Sequence, residues 1–127
     1  MSLDRAVAAA RAASTKTLDE TVVLDVGEVI GITDHFVITS GHNDRQVRAV
    51  VDEVTMALKR LGAAPLRREG GGDATWVLLD YGDFVVHVLA SEARDFYGLE
   101  RLWSDAVRID WEAAGTVPAE RAERALR

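Results

Sequence analysis

Apolar positions recur along the chain with two periods, and the change of period marks the elements. Between residues 44 and 61, Val47, Val50, Val51, Val54, Leu58 and Leu61 fall on one helical stripe. An Asn43 to Gln46 capping box opens that stripe and Gly62 closes it, so the pattern predicts a helix. Residues 2 to 16 place Leu3, Val7 and Ala10 at the same spacing in an alanine-rich stretch, with Ser2 placed to cap it. Residues 21 to 26 and 35 to 40 are β-branched and aromatic runs, separated by a stretch holding Gly27 and Gly31, and read as strands. A third strand starts at Pro65 to Glu69, Gly70 to Asp73 make a loop, and residues 75 to 80 and 84 to 90 complete five strands. Arg94 to Trp103 reads as a short helix capped by Ser91, with Phe96, Leu99, Leu102 and Trp103 at helical spacing. Such spacing by itself predicts core packing.

The last two strands flank Tyr81-Gly82. With these as a two-residue hairpin loop, Asp80 pairs with Asp83, Leu78 with Val85, and Trp76 with His87. One face then carries Val77, Leu79, Phe84, Val86 and Val88 and is apolar, as a helix-covered face should be. The other carries Trp76, Leu78, Asp80, Asp83, Val85 and His87, a mixture of large apolar, charged and titratable groups that a core rarely holds. Aromatic anchors in such a setting are what protein interfaces use, so this face is the candidate binding surface.

Composition narrows the chemistry. In 127 residues there are no cysteines, which excludes disulfides, thiolate nucleophiles and cysteine-bound metals and fits a reducing cytoplasm. A net charge of -6 opposes attraction to phosphate backbones and favours a basic protein partner over DNA or bare RNA. No long apolar run reads as a signal peptide or membrane span. Ser40, His87 and Asp80 supply the residue types of a hydrolytic triad, but no Gly-x-Ser-x-Gly elbow surrounds Ser40. Asp80 and Asp83 are ordinary turn residues before they are metal ligands, and Gly70-Gly71-Gly72 lies between strands, without the Lys of a phosphate loop. Ser40-Gly41-His42-Asn43 runs from strand to helix, where capping accounts for Asn43. No catalytic residue, metal site, cofactor or small-molecule substrate is expected.

Three ordered stretches carry a family resemblance. Asp34-His35-Phe36-Val37-Ile38-Thr39-Ser40-Gly41, then Glu69-Gly70 and Trp76 to Val88, then Arg94-Asp95-Phe96-Tyr97-Gly98-Leu99-Glu100-Arg101-Leu102-Trp103 resemble the ribosomal silencing factor (RsfS, Iojap-related) family over about residues 3 to 110. The resemblance implies a single α/β domain, residues 1–111, with a mixed five-stranded sheet flanked by helices. It also implies kinship with nucleotidyltransferases without their catalysis, and residues 112–127 follow as a tail outside the family's motifs. Nucleotidyltransfer needs a Gly-Ser turn and a close Asp-x-Asp pair, whereas this chain has Ser40-Gly41 and no Asp-x-Asp. The implied function is docking on large-subunit ribosomal protein uL-fourteen, which blocks the small subunit from joining and lowers translation when nutrients are scarce. A homodimer is implied for the free protein. The hairpin face and the following helix make Trp76, Leu78, Asp80, Tyr81, His87, Arg94, Tyr97, Glu100 and Trp103 the candidate partner-binding residues. The competing reading is a metal-dependent nucleotide-binding enzyme using Asp80, Asp83 and the Ser40 turn. It requires magnesium-dependent nucleotide binding and the first does not.

Overall fold

A computed structural model describes residues 2–70 and 75–114. The alanine-rich segment forms α1, Ser2–Ser14, whose Ala6, Ala9, Ala10 and Ala13 are fully buried. Side chains this small let α1 lie directly on α3, Asp44–Arg60, which buries the predicted Val47, Val50, Val51, Val54 and Leu58 stripe. Asn43 caps α3 by accepting from the Gln46 backbone N–H at 2.8 Å. The Gln46 side chain reaches back to the N–H of His42 rather than to Asn43, at 2.7 Å, so the capping box closes one residue early.

Between the two helices run β1, Val22–Asp25, a single turn α2, Gly27–Ile30, and β2, His35–Gly41, whose every residue is buried. After α3 come β3, Arg67–Glu69, β4, Trp76–Asp80, and β5, Phe84–Ala90. Then follow α4, Ser91–Tyr97, α5, Leu99–Leu102, β6, Val107–Ile109, and α6, Trp111–Ala114. The sheet order is β3-β4-β5-β2-β1-β6, with β2 and β5 parallel and every other pair antiparallel. The α/β fold and the mixed sheet are as expected, but there are six strands rather than five. The extra one, β6, is a three-residue edge strand with two exposed side chains, too short to announce itself by alternation. Pairing with β1 makes it a strand. The last turn, α6, runs past the expected boundary at residue 111, and the rest of the expected tail, from residue 115, lies outside the described residues.

Two further expectations change. In the hairpin, Asp80 pairs with Val85, Leu78 with His87, and Trp76 with Leu89. The loop is Gly82-Asp83, closed by the Tyr81 N–H on the Phe84 carbonyl, because φ at the first loop position is +88° and glycine takes that value far more easily than Tyr81 would. The resulting shift of two residues keeps every side chain on its predicted face. The helix expected over residues 94 to 103 is broken at Gly98, where φ is +59°, and Ser91 is its first residue rather than its cap.

The predicted apolar face, with Val77, Leu79, Phe84, Val86 and Val88, does form the main core beneath α1 and α3. The opposite face is not uniformly open. Val22, Leu24, Phe36, Ile38 and Leu89 build a second core there, roofed by Leu99 and the half-buried Trp103. Among the described residues of that face, Trp76, Leu78 and Asp80 of β4 and Val85 of β5 stay half-buried.

Candidate protein-docking site

At the edge of the second core, Trp76 of β4 lies half-buried, and its Nε1–H donates to Nδ1 of His87 on β5 at 3.2 Å. That bond assigns the proton of neutral His87 to Nε2, which finds no partner among the described residues. The Phe36 ring meets His87 edge-on at 4.6 Å, and Phe36 in turn meets Trp103 at 5.9 Å. Outward from Trp76, Tyr97 packs on the indole with ring centroids 5.0 Å apart, and Phe96 stands edge-on to Tyr97 at 5.1 Å. Phe96 is 82% exposed, Leu102 67% and Tyr97 51%. Trp76, Tyr97 and Phe96 thus form a continuous aromatic strip, with half-buried Leu78 two residues along β4 and exposed Leu102 on the following helix.

Of the nine candidate residues, the fold thus brings together Trp76, Leu78, His87 and Tyr97, with Trp103 behind them. His87 is buried and supports the surface from beneath instead of facing a partner. Tyr81 turns to the opposite side of the sheet, where its ring stacks on Phe84 at 4.8 Å against the main core. There it departs from the expected grouping, because the hairpin loop begins one residue later than the sequence suggested. Its hydroxyl finds no partner among the described residues, and burial raises its pKa. Asp80 accepts from the Gly82 N–H at 2.8 Å and faces Arg67 at 3.8 Å, so it serves the turn. Arg94 and Glu100 pair with each other at 2.9 Å. Core packing, expected for Phe96 and Leu102 from spacing alone, does not occur. The break at Gly98 splits the helical stripe, and only Leu99 and Trp103 turn inward.

A polar knot closes the carboxyl ends of the parallel pair β2 and β5. Asp19 Oδ2 accepts from Ser40 at 2.7 Å and Ser91 at 2.6 Å, and Oδ1 lies 3.2 Å from His42 Nε2. Burial alone would raise the Asp19 pKa, but the two serine hydroxyls, then His42 and Arg94, outweigh it and hold the carboxyl below its ordinary value. Nothing in the sequence marks Asp19, which sits in the linker before β1. The order of contacts is Ser-Asp-His, with the carboxylate between hydroxyl and imidazole, so no base is aimed at Ser40. Ser40, His87 and Asp80 do not assemble, since Ser40 is engaged by Asp19, His87 by Trp76 and Asp80 by its own turn. Among the described residues, no group of three or more His, Asp or Glu is placed to hold a metal ion.

The buried His87 makes a pH prediction. Burial lowers its pKa from 6.5 to about 4. Between those values the unfolded chain binds a proton that the folded chain refuses, so stability is fully present above about pH 6.5 and falls as pH drops toward 4. The contribution amounts to about 3 kcal/mol. Urea midpoints measured from pH 7.5 to 4 should decline for the wild type and decline less for His87→Gln. Parallel slopes would show that His87 is not the group responsible.

The family described as "Ribosomal silencing factor during starvation", RsfS, matches residues 1–127. The chain belongs to the RsfS family. It is 37% identical over 102 residues to the ribosomal silencing factor RsfS of Bacillus subtilis, covering 80% of this chain and 86% of that protein. It is 31% identical over 111 residues to the chloroplastic protein Iojap of Zea mays, covering 85% of this chain and 47% of that one. A crystal structure from Chromobacterium violaceum matches with a TM-score of 0.71 at 32% identity, covering 76% of this chain and 80% of the other. One from Bacillus halodurans gives 0.66 at 36%, covering 76% and 90%. The RsfS relatives are named as silencing factors and not as enzymes, and family membership supports a ribosome-associated silencing role. In this RsfS chain the resemblance-bearing segments occupy β2, the β4–β5 hairpin and α4–α5, the elements that build and support the aromatic surface.

Proposed function

We propose that the protein docks on the large ribosomal subunit through uL-fourteen and sterically blocks the small subunit from joining, lowering translation under nutrient limitation. It acts as a cytoplasmic, non-enzymatic repressor without cofactor or small-molecule substrate. The observation that carries this reading is the aromatic run from half-buried Trp76 through exposed Tyr97 to exposed Phe96, a patch with the composition of an interface hot spot. A net charge of -6 suits a basic ribosomal protein and speeds encounter at low salt. Free protein covers the patch by forming a homodimer, so dimer and ribosome compete for one surface.

Subunit joining followed by light scattering, with purified subunits and no nucleotide, tests the reading. Inhibition should rise with occupancy and saturate at one copy per large subunit. Inhibition at far fewer copies, or only with added magnesium and nucleoside triphosphate, would refute occlusion.

A further inference from the structure

The helices that carry the exposed aromatic surface are too short to stand alone. Seven residues in α4 and four in α5 fall well below the length at which an isolated helix persists, and Gly98 between them interrupts the backbone pattern. Something must fix their mutual angle. On one side Leu99 is buried in the second core and Tyr97 leans on Trp76. On the other side is Arg94, whose side chain is only 10% exposed although it carries a charge. Its Nε donates to Glu100 Oε1 at 2.9 Å, across the Gly98 break, which joins α4 to α5. One terminal nitrogen donates to Ser40 Oγ at 3.0 Å, at the end of β2, and also to the backbone carbonyl of Glu20 before β1. Ser91, in the first turn of α4, reaches the same anchor through Asp19.

These contacts point inward, toward the chain's own elements. We propose that Arg94 is a positioning residue of the docking surface: it braces α4 and α5 from within, so that Phe96, Tyr97 and Leu102 stand preformed before the partner arrives. The proposal rests on reading the Trp76 surface as the docking site. Preformation matters because ordering a loose segment at the moment of binding subtracts from affinity, and the apparent dissociation constant rises in inverse proportion to the competent fraction. A planar guanidinium suits the task, since its fixed fork serves Glu100, Ser40 and the Glu20 carbonyl at once. A lysine ammonium on a flexible stem holds the charge without that geometry.

Arg94→Lys separates bracing from contact. In the free protein, amide hydrogen exchange over residues 91–103 should accelerate about tenfold while the sheet amides keep their rates, and affinity for purified large subunits should fall by a similar factor. Glu100→Gln, which keeps the shape and loses the charge, should show a smaller change in the same direction and serves if Arg94→Lys does not fold. Weakened binding with unchanged exchange in the free protein would overturn the proposal, because Arg94 would then act by touching the partner. Faster exchange with unchanged affinity would overturn it too, provided Trp76→Ala still abolishes binding. Unchanged affinity in both Trp76→Ala and Arg94→Lys would instead remove the docking reading on which the proposal rests.

Discussion

Trp76→Ala is expected to weaken cosedimentation with the large subunit by about 100-fold or more while leaving the chain folded. Truncating an aromatic at the centre of an interface typically costs 2 to 4 kcal/mol of binding, and each 1.4 kcal/mol is about a factor of ten. The effect on folding is smaller but not zero. Trp76 is half-buried against the second core and, among the described residues, supplies the only hydrogen bond on His87 Nδ1, so a stability loss of about 1 to 2 kcal/mol should accompany the substitution. Tyr81→Phe is the companion variant. Its ring lies on the helix-covered side of the sheet and its hydroxyl is buried without a partner among the described residues, so binding should be unaffected and stability equal or slightly improved. Wild-type affinity in Trp76→Ala, or a loss in Tyr81→Phe that matches it, would place the docking surface elsewhere.

Gly70→Ala carries the largest expected penalty in folding. Gly70 follows β3 with φ at +83°, and a Cβ built there would sit 2.3 Å from the backbone carbonyl oxygen of Trp76. No rotamer relieves a clash between two backbones. The β3–β4 pair must separate, which disturbs the strand that presents Trp76. A loss of about 2 to 4 kcal/mol is expected, a large share of a small domain's total stability. Gly31→Ala isolates the backbone-strain part, because Gly31 has nearly the same φ, +82°, but open space around its Cβ position. That variant should lose only about 1 kcal/mol. Equal losses in the two, measured by urea unfolding, would show that strand approach at Gly70 is not the controlling factor.

The RsfS resemblance includes Glu69-Gly70, and this close approach supplies a physical reason for glycine there. Local rules were legible wherever one residue's neighbours in the chain decide its state. The valine stripe of α3, the Asn43 cap and the two faces of the β4–β5 hairpin depend on periods of 3.6 and 2 that a sequence displays directly. Trp76 and Leu78 could be named as surface candidates for the same reason, since a strand face is a local property, whereas Tyr97 entered through the family resemblance.

Tertiary structure decided what distant segments do to one another. Three residues became β6 because β1 lay alongside with unpaired backbone groups. His87 went from partner-facing to buried because the Phe36 ring from β2 and the Trp76 ring from β4 close on it, and no pattern within β5 reports what neighbouring strands will bring. Phe96 and Leu102 came out into solvent while Leu99 turned in, because one left-handed glycine rotated two short helices relative to each other. Asp19, Ser40, Ser91 and Arg94 are scattered from residue 19 to residue 94 and meet only where β2 and β5 end side by side. A single sequence records the period of each element, which its own backbone geometry imposes. Burial and side-chain pairing belong to the packed whole, because the free energy of covering a surface or satisfying a buried charge depends on groups that are neighbours in space alone.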